Sequence, residues 1–373
     1  MMEFIVSEAI IKGIYSSYNK ISTRCKIKPL LDKNKILWYN QQDSEIAFLC
    51  INGKFCSVNT DLTLMWYHYL HYKINLTIKI IRRREMSEKI LIASDSTTDL
   101  SPEIIAKYGI KVIPMGITVG DTDYTDGVDI TPDMIYENYE KTGKLPKTAA
   151  INIAQFSDFF EEYTAKGYSI VLFTISAEMS STFSNARLAA EDFENVYVVD
   201  TRNLSTGGGL LVVAAAEMAR EGKSAREITD ECERLVPCVD ASFVIDSLEF
   251  LHKGGRCSAL AAFGANVLGL KPCIAVKGGK MGVSKKYRGK FENVLLQYVA
   301  DRIGDGQDIV TDRVFVTHAG CDEAIVQACV EKVKSLASFD ELYITRAGCT
   351  VSSHCGKNTL GVLFIRKAPI DAQ

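Results

Sequence analysis

The pattern of apolar and polar residues divides the chain near residue 86. After that point, uninterrupted apolar runs at 90–93, 169–175 and 196–199 predict strands, and the longest of them, 169–175, is typical of a strand buried on both faces of a parallel sheet. The first run leads to Ser101, an N-cap residue followed by proline, and the helix that begins there is predicted to end at Gly109. Strand, polar loop and helix recur at roughly 30-residue intervals, which is the spacing of βαβ units. The pattern therefore predicts an α/β fold.

The pattern changes near residue 240. Apolar segments at 271–276 and 281–287 flank Lys-Gly-Gly-Lys, which predicts a β-hairpin. We therefore predict two α/β domains, residues 86–240 and residues 241–373, the second with a mixed sheet. Residues 144–151 between two helical segments are predicted as a loop. Further helices are predicted at 134–141, 154–166, 183–193, 291–303 and 322–336, and further strands at 242–245, 314–317, 342–346 and 359–365.

Residues 1–85 have a different composition from the remainder of the chain. They contain both tryptophans but only two of the 26 glycines, are rich in Ile, Lys, Asn and Tyr, and show no sustained period. An Arg-Arg-Arg-Glu run at 82–85 immediately precedes Met86, and purine-only codons for such a run resemble a ribosome-binding site. We hypothesise that Met86 is the true start. Residues 1–85 are then an N-terminal extension that is either upstream sequence read in frame or a disordered segment. A small accessory domain and a basic tether at 82–84 are the alternatives.

Composition and motifs exclude several classes of protein. A net charge of −3 gives no general attraction to nucleic acid. The 11 cysteines form no C-x-x-C pair, which favours reduced thiols and a cytoplasmic location, and no run of 18 apolar residues predicts a membrane span. No nucleotide-binding, zinc-binding or nucleophile-elbow motif is present, and Gly207-Gly208-Gly209 is interpreted as a helix start that requires small residues. No metal or cofactor is predicted.

Clusters of hydroxyl side chains are the remaining candidate chemistry. They lie at 94–98, at Thr148 and at 176–182, each after a predicted strand or beside a helix start. Hydroxyls together with the free N–H groups of a helix start can hold an anion without a full opposing charge. A carboxylate or phosphate head group is therefore the expected ligand. Ordinary capping and turn chemistry is the alternative interpretation, and it suffices for Ser101, Thr131 and Ser224.

Eight ordered motifs make residues 89–366 resemble the DegV family. No single motif is specific for the family, but the occurrence of all eight in this order is specific. The motifs are SDSTTDL at 94–100, PMGITVGDTDYTDG at 114–127, ISAEMSSTFSNA at 175–186, VVDTRNLSTGGGL at 198–210, LEFLHKGGR at 248–256, GLKP at 269–272, THAG at 317–320 and HCGKNTLGVLF at 354–364.

The resemblance implies a two-domain α/β protein that binds one long-chain fatty acid in an apolar tunnel or cleft between the domains. Such proteins are non-catalytic subunits that present the bound carboxylate to a bacterial fatty acid kinase, which forms acyl phosphate for phospholipid synthesis. The bound fatty acid is a ligand, and no cofactor is implied. An apolar tunnel is a suitable site for such a ligand, because each methylene buried in it contributes roughly 0.8 kcal/mol to the free energy of binding.

The resemblance also implies the site residues. Thr148, Ser176, Ser180 and Thr182 match the positions that bind the carboxylate. Arg256 and His354 match positions at the head-group mouth, or positions that present the ligand to the kinase.

The chain departs from the family pattern at four places, and these leave two alternatives open. Ala-Ala-Ile-Asn at 149–152, Ala177, Ser181 and Lys-Asn at 357–358 replace the usual residues. One alternative is an enzyme that acts on a small anionic substrate in the same cleft, with His354 or His318 as the base. The other is a carrier for a different lipid or amphiphile. A long apolar tunnel favours a carrier, whereas a short polar pocket with histidine near a hydroxyl favours an enzyme.

Overall fold

The structure is a computed structural model. It describes residues 88–257 and 269–370 in full, and the backbone of three earlier strands. The chain divides into two compact units, Met1–Met86 and Ser87–Gln373. The strands of the first unit form an antiparallel sheet in the order β1-β2-β3. Their bounds are Ile36–Tyr39, Ala47–Ile51 and Lys54–Val58. The remainder of residues 1–85 lies outside the described residues, and the hypothesis about Met86 stays a hypothesis.

A four-stranded parallel sheet opens the second unit. Its order is β10-β9-β4-β5, and the pairing of Ile92 with Val171 sets the central register. The apolar runs predicted as strands form this sheet, and the run at 169–175 is buried on both faces, as predicted, whereas the edge strand β10 is mostly half-buried. The strands are β4 (Lys89–Asp95), β5 (Lys111–Ile113), β9 (Tyr168–Thr174) and β10 (Val196–Asp200).

Four of the six helices of this half begin at a side-chain cap. Ser101, Thr131, Asn152 and Ser224 each accept a hydrogen bond from a backbone N–H of the first turn. Gly109 ends the first helix in the left-handed conformation, as predicted. The helices are α1 (Pro102–Tyr108), α2 (Pro132–Thr142), α3 (Ile153–Thr164), α4 (Thr182–Ala190), α5 (Thr206–Arg220) and α6 (Ala225–Leu235).

A small antiparallel sheet carries Thr148, which the sequence analysis assigned to a loop. Its order is β7-β6-β8, with β6 at Gly116–Val119, β7 at Thr122–Thr125 and β8 at Lys147–Ala149. The loop prediction for residues 144–151 is therefore wrong at β8. Three residues are too few to show a period of two, and the partner strand lies about 30 residues earlier in the chain.

The second half forms a mixed seven-stranded sheet. The order is β14-β13-β12-β17-β15-β16, and β11 pairs with β17. The predicted hairpin is confirmed, since Lys277 pairs with Lys280 across Gly278 and Gly279, both at positive φ. The strands are β11 (Val239–Asp240), β12 (Ser242–Ile245), β13 (Leu270–Lys277), β14 (Lys280–Arg288), β15 (Ile309–Ala319), β16 (Glu341–Arg346) and β17 (Thr359–Arg366). The helices are α7 (Glu249–Gly254), α8 (Phe291–Ile303), α9 (Glu323–Leu336) and α10 (Cys349–Cys355).

One hydrophobic core joins the two large sheets. Val171 and Phe173 of β9 belong to the same buried cluster as Phe315 of β15 and Leu363 of β17. Helix α5 lies within this core, and its first turn needs glycine, because a Cβ on Gly209 would lie 2.8 Å from the Leu100 side chain. Within the described ranges, no helix is long and apolar enough to cross a membrane.

Candidate functional site

A cavity of about 290 Å³ lies among loops and helices that follow strands of both large sheets. Four of the six residues implied by the resemblance line it, namely Thr148, Ser180, Arg256 and His354. Residues far apart in sequence meet there because the ends of different strands approach one another at this edge. The other lining residues are Met115, Ala150, Ile175, Met179, Ser181, Leu204, Phe243, Leu251, Met281, Thr350, Val351 and Cys355.

Thr148 and His354 form the polar contact at the centre of the site. His354 Nε2 lies 2.9 Å from Thr148 Oγ1, across 206 positions of sequence. Burial, together with the positive charge of Arg256, lowers the pKa of His354 to about 4. The imidazole is therefore neutral at physiological pH and can either donate to or accept from the hydroxyl.

Gly254 gives His354 the space it occupies. A Cβ at position 254 would lie 2.6 Å from His354 Nδ1, so a larger residue and the imidazole cannot share this place. Nδ1 has no hydrogen-bond partner among the described residues. The ring is thus fixed on one edge by Thr148 and packed on the other against the backbone of α7.

Ser180 and Thr182 form a hydroxyl pair at the start of α4. Ser180 Oγ lies 2.8 Å from Thr182 Oγ1 and accepts a hydrogen bond from the Thr182 N–H. Ser180 lies in the cavity wall, whereas Thr182 is buried and does not line the cavity. The contact of Thr182 with a carboxylate stays a prediction; its observed contact is with Ser180.

Ser176 is buried, does not line the cavity and holds its loop in place. Its hydroxyl donates to the carbonyl of Gly279 at 2.7 Å and accepts from the Glu178 N–H. Gly279 belongs to the hairpin turn of β13 and β14, so this contact fastens the turn to the loop that carries Ser180. The assignment of Ser176 to the carboxylate stays a prediction, and its observed partner is this backbone carbonyl.

Arg256 is exposed and lines the cavity, next to the end of α7. Its Nη1 donates to the carbonyl of Gly254 at 2.7 Å. The guanidinium is therefore held beside the backbone segment against which His354 packs. Arg256 thus joins the cavity wall to solvent, and its assignment to the head-group mouth stays a prediction.

Two buried carboxylates fix the start of α10, the helix that carries His354. Asp126 Oδ1 and Oδ2 accept from the N–H groups of Cys349 and Thr350 at 2.9 and 3.2 Å. Asp99 Oδ1 accepts from the Gly348 N–H at 2.8 Å. Three successive N–H groups that a helix start leaves unpaired are thereby satisfied.

Thr350 is a residue of the cavity wall that the sequence predictions do not include. It lies in the cavity wall one helical turn before His354, and it is 4% exposed. Among the described residues its Oγ1 has no hydrogen-bond partner. The signal for this residue was the spacing Thr350-x-x-x-His354, which places both on one face only if residues 349–355 are helical.

The remainder of the cavity wall is largely apolar. It includes Met115, Met179 and Met281, whose unbranched side chains adapt to the shape of a ligand. A second cavity of about 30 Å³ adjoins the first, since the same residues line both. The shared residues are Leu204, Phe243, Val351 and Cys355.

The alternative base His318 does not line the main cavity. It lies in the wall of the second cavity, and burial together with the charge of Arg346 lowers its pKa. In the part of the chain that the structure describes, no group of three or more His, Cys, Asp or Glu residues is placed to hold a metal ion.

Comparison with known proteins identifies the family. The family described as "Uncharacterised protein, DegV family" matches residues 89–367. A DegV domain-containing protein of Clostridium acetobutylicum is 32% identical over 282 residues, which cover 75% of this chain and 99% of that protein. The chain therefore belongs to the DegV family, as the eight motifs indicated.

Solved structures of DegV proteins share the fold. A protein of Thermus thermophilus, described by its fatty acid binding, matches with a TM-score of 0.68 and 28% identity over 74% of this chain and 99% of its own. A stearic-acid-binding protein of Eubacterium ventriosum matches with a TM-score of 0.65 and 27% identity over 74% of this chain and 98% of its own. The predicted α/β class with an N-terminal extension is confirmed.

Proposed function

We propose that this protein is a non-catalytic carrier that binds one long-chain fatty acid and presents its carboxylate to a fatty acid kinase. The observation that carries the proposal is a largely apolar cavity with Thr148, Ser180 and a neutral His354 in its wall. The fatty acid binding described for the relatives from T. thermophilus and E. ventriosum supports it.

Uncharged donors hold the carboxylate in this proposal. A neutral His354 that donates Nε2–H to Thr148 Oγ1 leaves the threonine proton free for the ligand. The Ser180 hydroxyl supplies a second donor beside it. Because neither donor neutralises the carboxylate, the ligand oxygen keeps its nucleophilic character.

The apolar wall accommodates the acyl chain. Each methylene transferred from water contributes about 0.8 kcal/mol. A cavity of about 290 Å³ is at the lower end for ligand sites, so the methionines must repack around a long chain. The second cavity, beyond Leu204 and Phe243, offers the chain a continuation.

Arg256 lies where a partner can reach the ligand. In the proposed transfer, a carboxylate oxygen attacks the γ-phosphorus of ATP held by the kinase, the new O–P bond forms acyl phosphate, and ADP leaves. The exposed guanidinium beside the mouth is suited to the developing negative charge or to docking of the kinase. The acyl phosphate then serves phospholipid synthesis.

One observation favours the enzyme alternative, namely the 2.9 Å contact between His354 and the Thr148 hydroxyl. A histidine with a pKa of about 4 is a weak base, and no described carboxylate contacts its Nδ1 to orient it. The apolar wall likewise suits a chain better than a small anion. The carrier is therefore the function that this geometry supports best.

Binding is tested on the full chain. We expect lipid extraction and native mass spectrometry of the purified protein to yield one fatty acid per chain. After delipidation, stearate should restore the same stoichiometry. Thr148→Ala combined with Ser180→Ala should weaken stearate binding at least about tenfold, because two hydrogen bonds to a charged group are lost. Protein that takes up no stearate would refute the proposal.

Presentation to the kinase is tested separately. With a bacterial fatty acid kinase and ATP, acyl phosphate formation from stearate should require this protein, and Arg256→Ala should slow it without releasing the ligand. A protein that binds stearate but supports no acyl phosphate formation would leave a carrier for another pathway. Ester hydrolysis by the protein alone, lost in His354→Ala, would support the enzyme instead.

A further inference from the structure

The hydroxyl of Thr350 is a buried polar group without a hydrogen-bond partner in the described ranges. The residue is 4% exposed and lies in the cavity wall, and its Oγ1 bonds to nothing among the described residues. A buried hydroxyl usually has a hydrogen-bond partner. An unpaired hydroxyl in a cavity wall therefore indicates that a bound ligand supplies the partner. In the described part of the chain, the Thr350 hydroxyl therefore stabilises no neighbouring group through a hydrogen bond.

The position of Thr350 within α10 places it beside the head-group residues. Thr350 and His354 are four residues apart in this helix and thus neighbours on one face. His354 in turn contacts Thr148. The backbone N–H of Thr350 already donates to Asp126 Oδ2, so the side-chain hydroxyl is the donor that remains for a ligand.

We propose that Thr350 Oγ1 donates a hydrogen bond to the carboxylate of the bound fatty acid, as a third hydroxyl beside Thr148 and Ser180. Threonine in a helix populates two χ1 rotamers, so a change from one rotamer to the other can turn the hydroxyl to the ligand. This inference rests on the proposed function and adds to it a head-group residue that the eight motifs do not assign. The carboxylate then meets donors from β8, from the loop before α4 and from α10.

The test uses opposite effects on stability and on binding. Thr350→Val keeps the shape of the side chain and removes the unpaired hydroxyl, so the melting temperature of the ligand-free protein should stay equal or rise. The same change removes a donor to the carboxylate, so stearate should bind about tenfold more weakly. A purely structural threonine cannot give this combination.

The controls separate the hydroxyl from the substitution. Thr350→Ser keeps the donor and should bind stearate within about twofold of the unsubstituted chain. Thr174→Val removes another buried hydroxyl without a partner in the described residues, outside the cavity wall, and should not change binding. Octadecanol has the same chain without a carboxylate, and its affinity should be equal in all variants.

The measurement is competition against a fluorescent fatty acid, on delipidated full-length protein. Weaker binding of stearate but not of octadecanol by Thr350→Val supports the inference. Unchanged stearate affinity in that variant overturns it and leaves the proposed function standing. Equal loss of both ligands overturns it as well, because the hydroxyl then does not recognise the carboxylate. An unsubstituted chain that binds no stearate overturns the proposed function and this inference together.

Discussion

Buried carboxylates are the residues whose charge the fold controls most strongly. Burial raises the pKa of Asp99 to about 8 and that of Asp95 to about 6, from an ordinary value of 3.8. Hydrogen bonds from Ser205 and from the Gly348 N–H lower the pKa of Asp99, while the neighbouring charges of Asp126 and Asp95 raise it. Asp99 is thus largely protonated at neutral pH.

The raised pKa of Asp99 predicts that stability falls as pH increases. The folded state holds the proton more tightly than the unfolded chain, so this contribution is complete below pH 3.8 and is lost as pH rises through about 8. Asp95 acts in the same direction around pH 6. We expect the free energy of unfolding, measured in urea, to decrease between about pH 4 and 8 and to level off above pH 8, and Asp99→Asn to flatten that decrease.

An equal slope in the two proteins would contradict the assignment to Asp99. The variant should fold, because an asparagine at 99 can still accept from the Gly348 N–H while its amide donates to Ser205 Oγ.

The site residues show which parts of the candidate site could be predicted from the sequence. Thr148, Ser180, Arg256 and His354 were assigned through motif resemblance, and the structure brings them to one cavity. Their individual roles stay predictions. Thr350 was missed because its spacing to His354 is informative only if residues 349–355 form a helix, which no local signal predicts. Its buried hydroxyl without a partner among the described residues is revealed only by the folded chain.

Helix α10 is the element on which the site depends. At seven residues it is too short to be stable by itself, so its geometry comes from tertiary contacts. Its start is held by Asp99 and Asp126, and its residues Thr350 and His354 lie in the cavity wall. The cavity wall is therefore set by carboxylates that belong to the first half of the unit.

Asp126→Asn should loosen α10. Both oxygens of Asp126 accept backbone N–H groups, and an amide can replace only one of them while its own N–H₂ opposes the other donor. We expect a loss of roughly 1–3 kcal/mol in the free energy of unfolding, weaker stearate binding, and faster hydrogen exchange at Cys349 and Thr350. Asp99→Asn is the matched control and should affect exchange much less. Equal exchange in both variants would show that Asp126 does not hold the helix.

Local signals also explain which elements were predictable. α8 was predicted at 291–303 and lies at Phe291–Ile303, because its apolar residues recur at helical spacing. α10 carries no such signal, since its N-cap Gly348 has no side chain and the capping carboxylates come from more than 200 positions earlier. β8 was missed for the same reason, because its pairing partner and not its own three residues makes it a strand.

At the scale of the whole molecule, the two sheets share one core. Helix α5 packs against β4 and β9 on one side and β17 on the other. Residues Ser87–Gln373 accordingly form one compact unit, while the division into two domains near residue 240 stays a prediction. A shared core keeps the cavity walls in fixed relation, because neither sheet can shift without opening buried contacts.

A chain that begins at Met86 should therefore fold and bind as the full chain does. The family match begins at residue 89, and the C. acetobutylicum relative aligns over 99% of its own length to 75% of this chain, so that relative has no room for a counterpart of residues 1–85. We expect the same melting temperature for the second unit and the same stearate affinity, within about twofold. A lower melting temperature or weaker binding would show that residues 1–85 support the site. Independently, a peptide from residues 1–80 in protein isolated from the native source would refute the start at Met86, since that hypothesis holds that these residues are never translated.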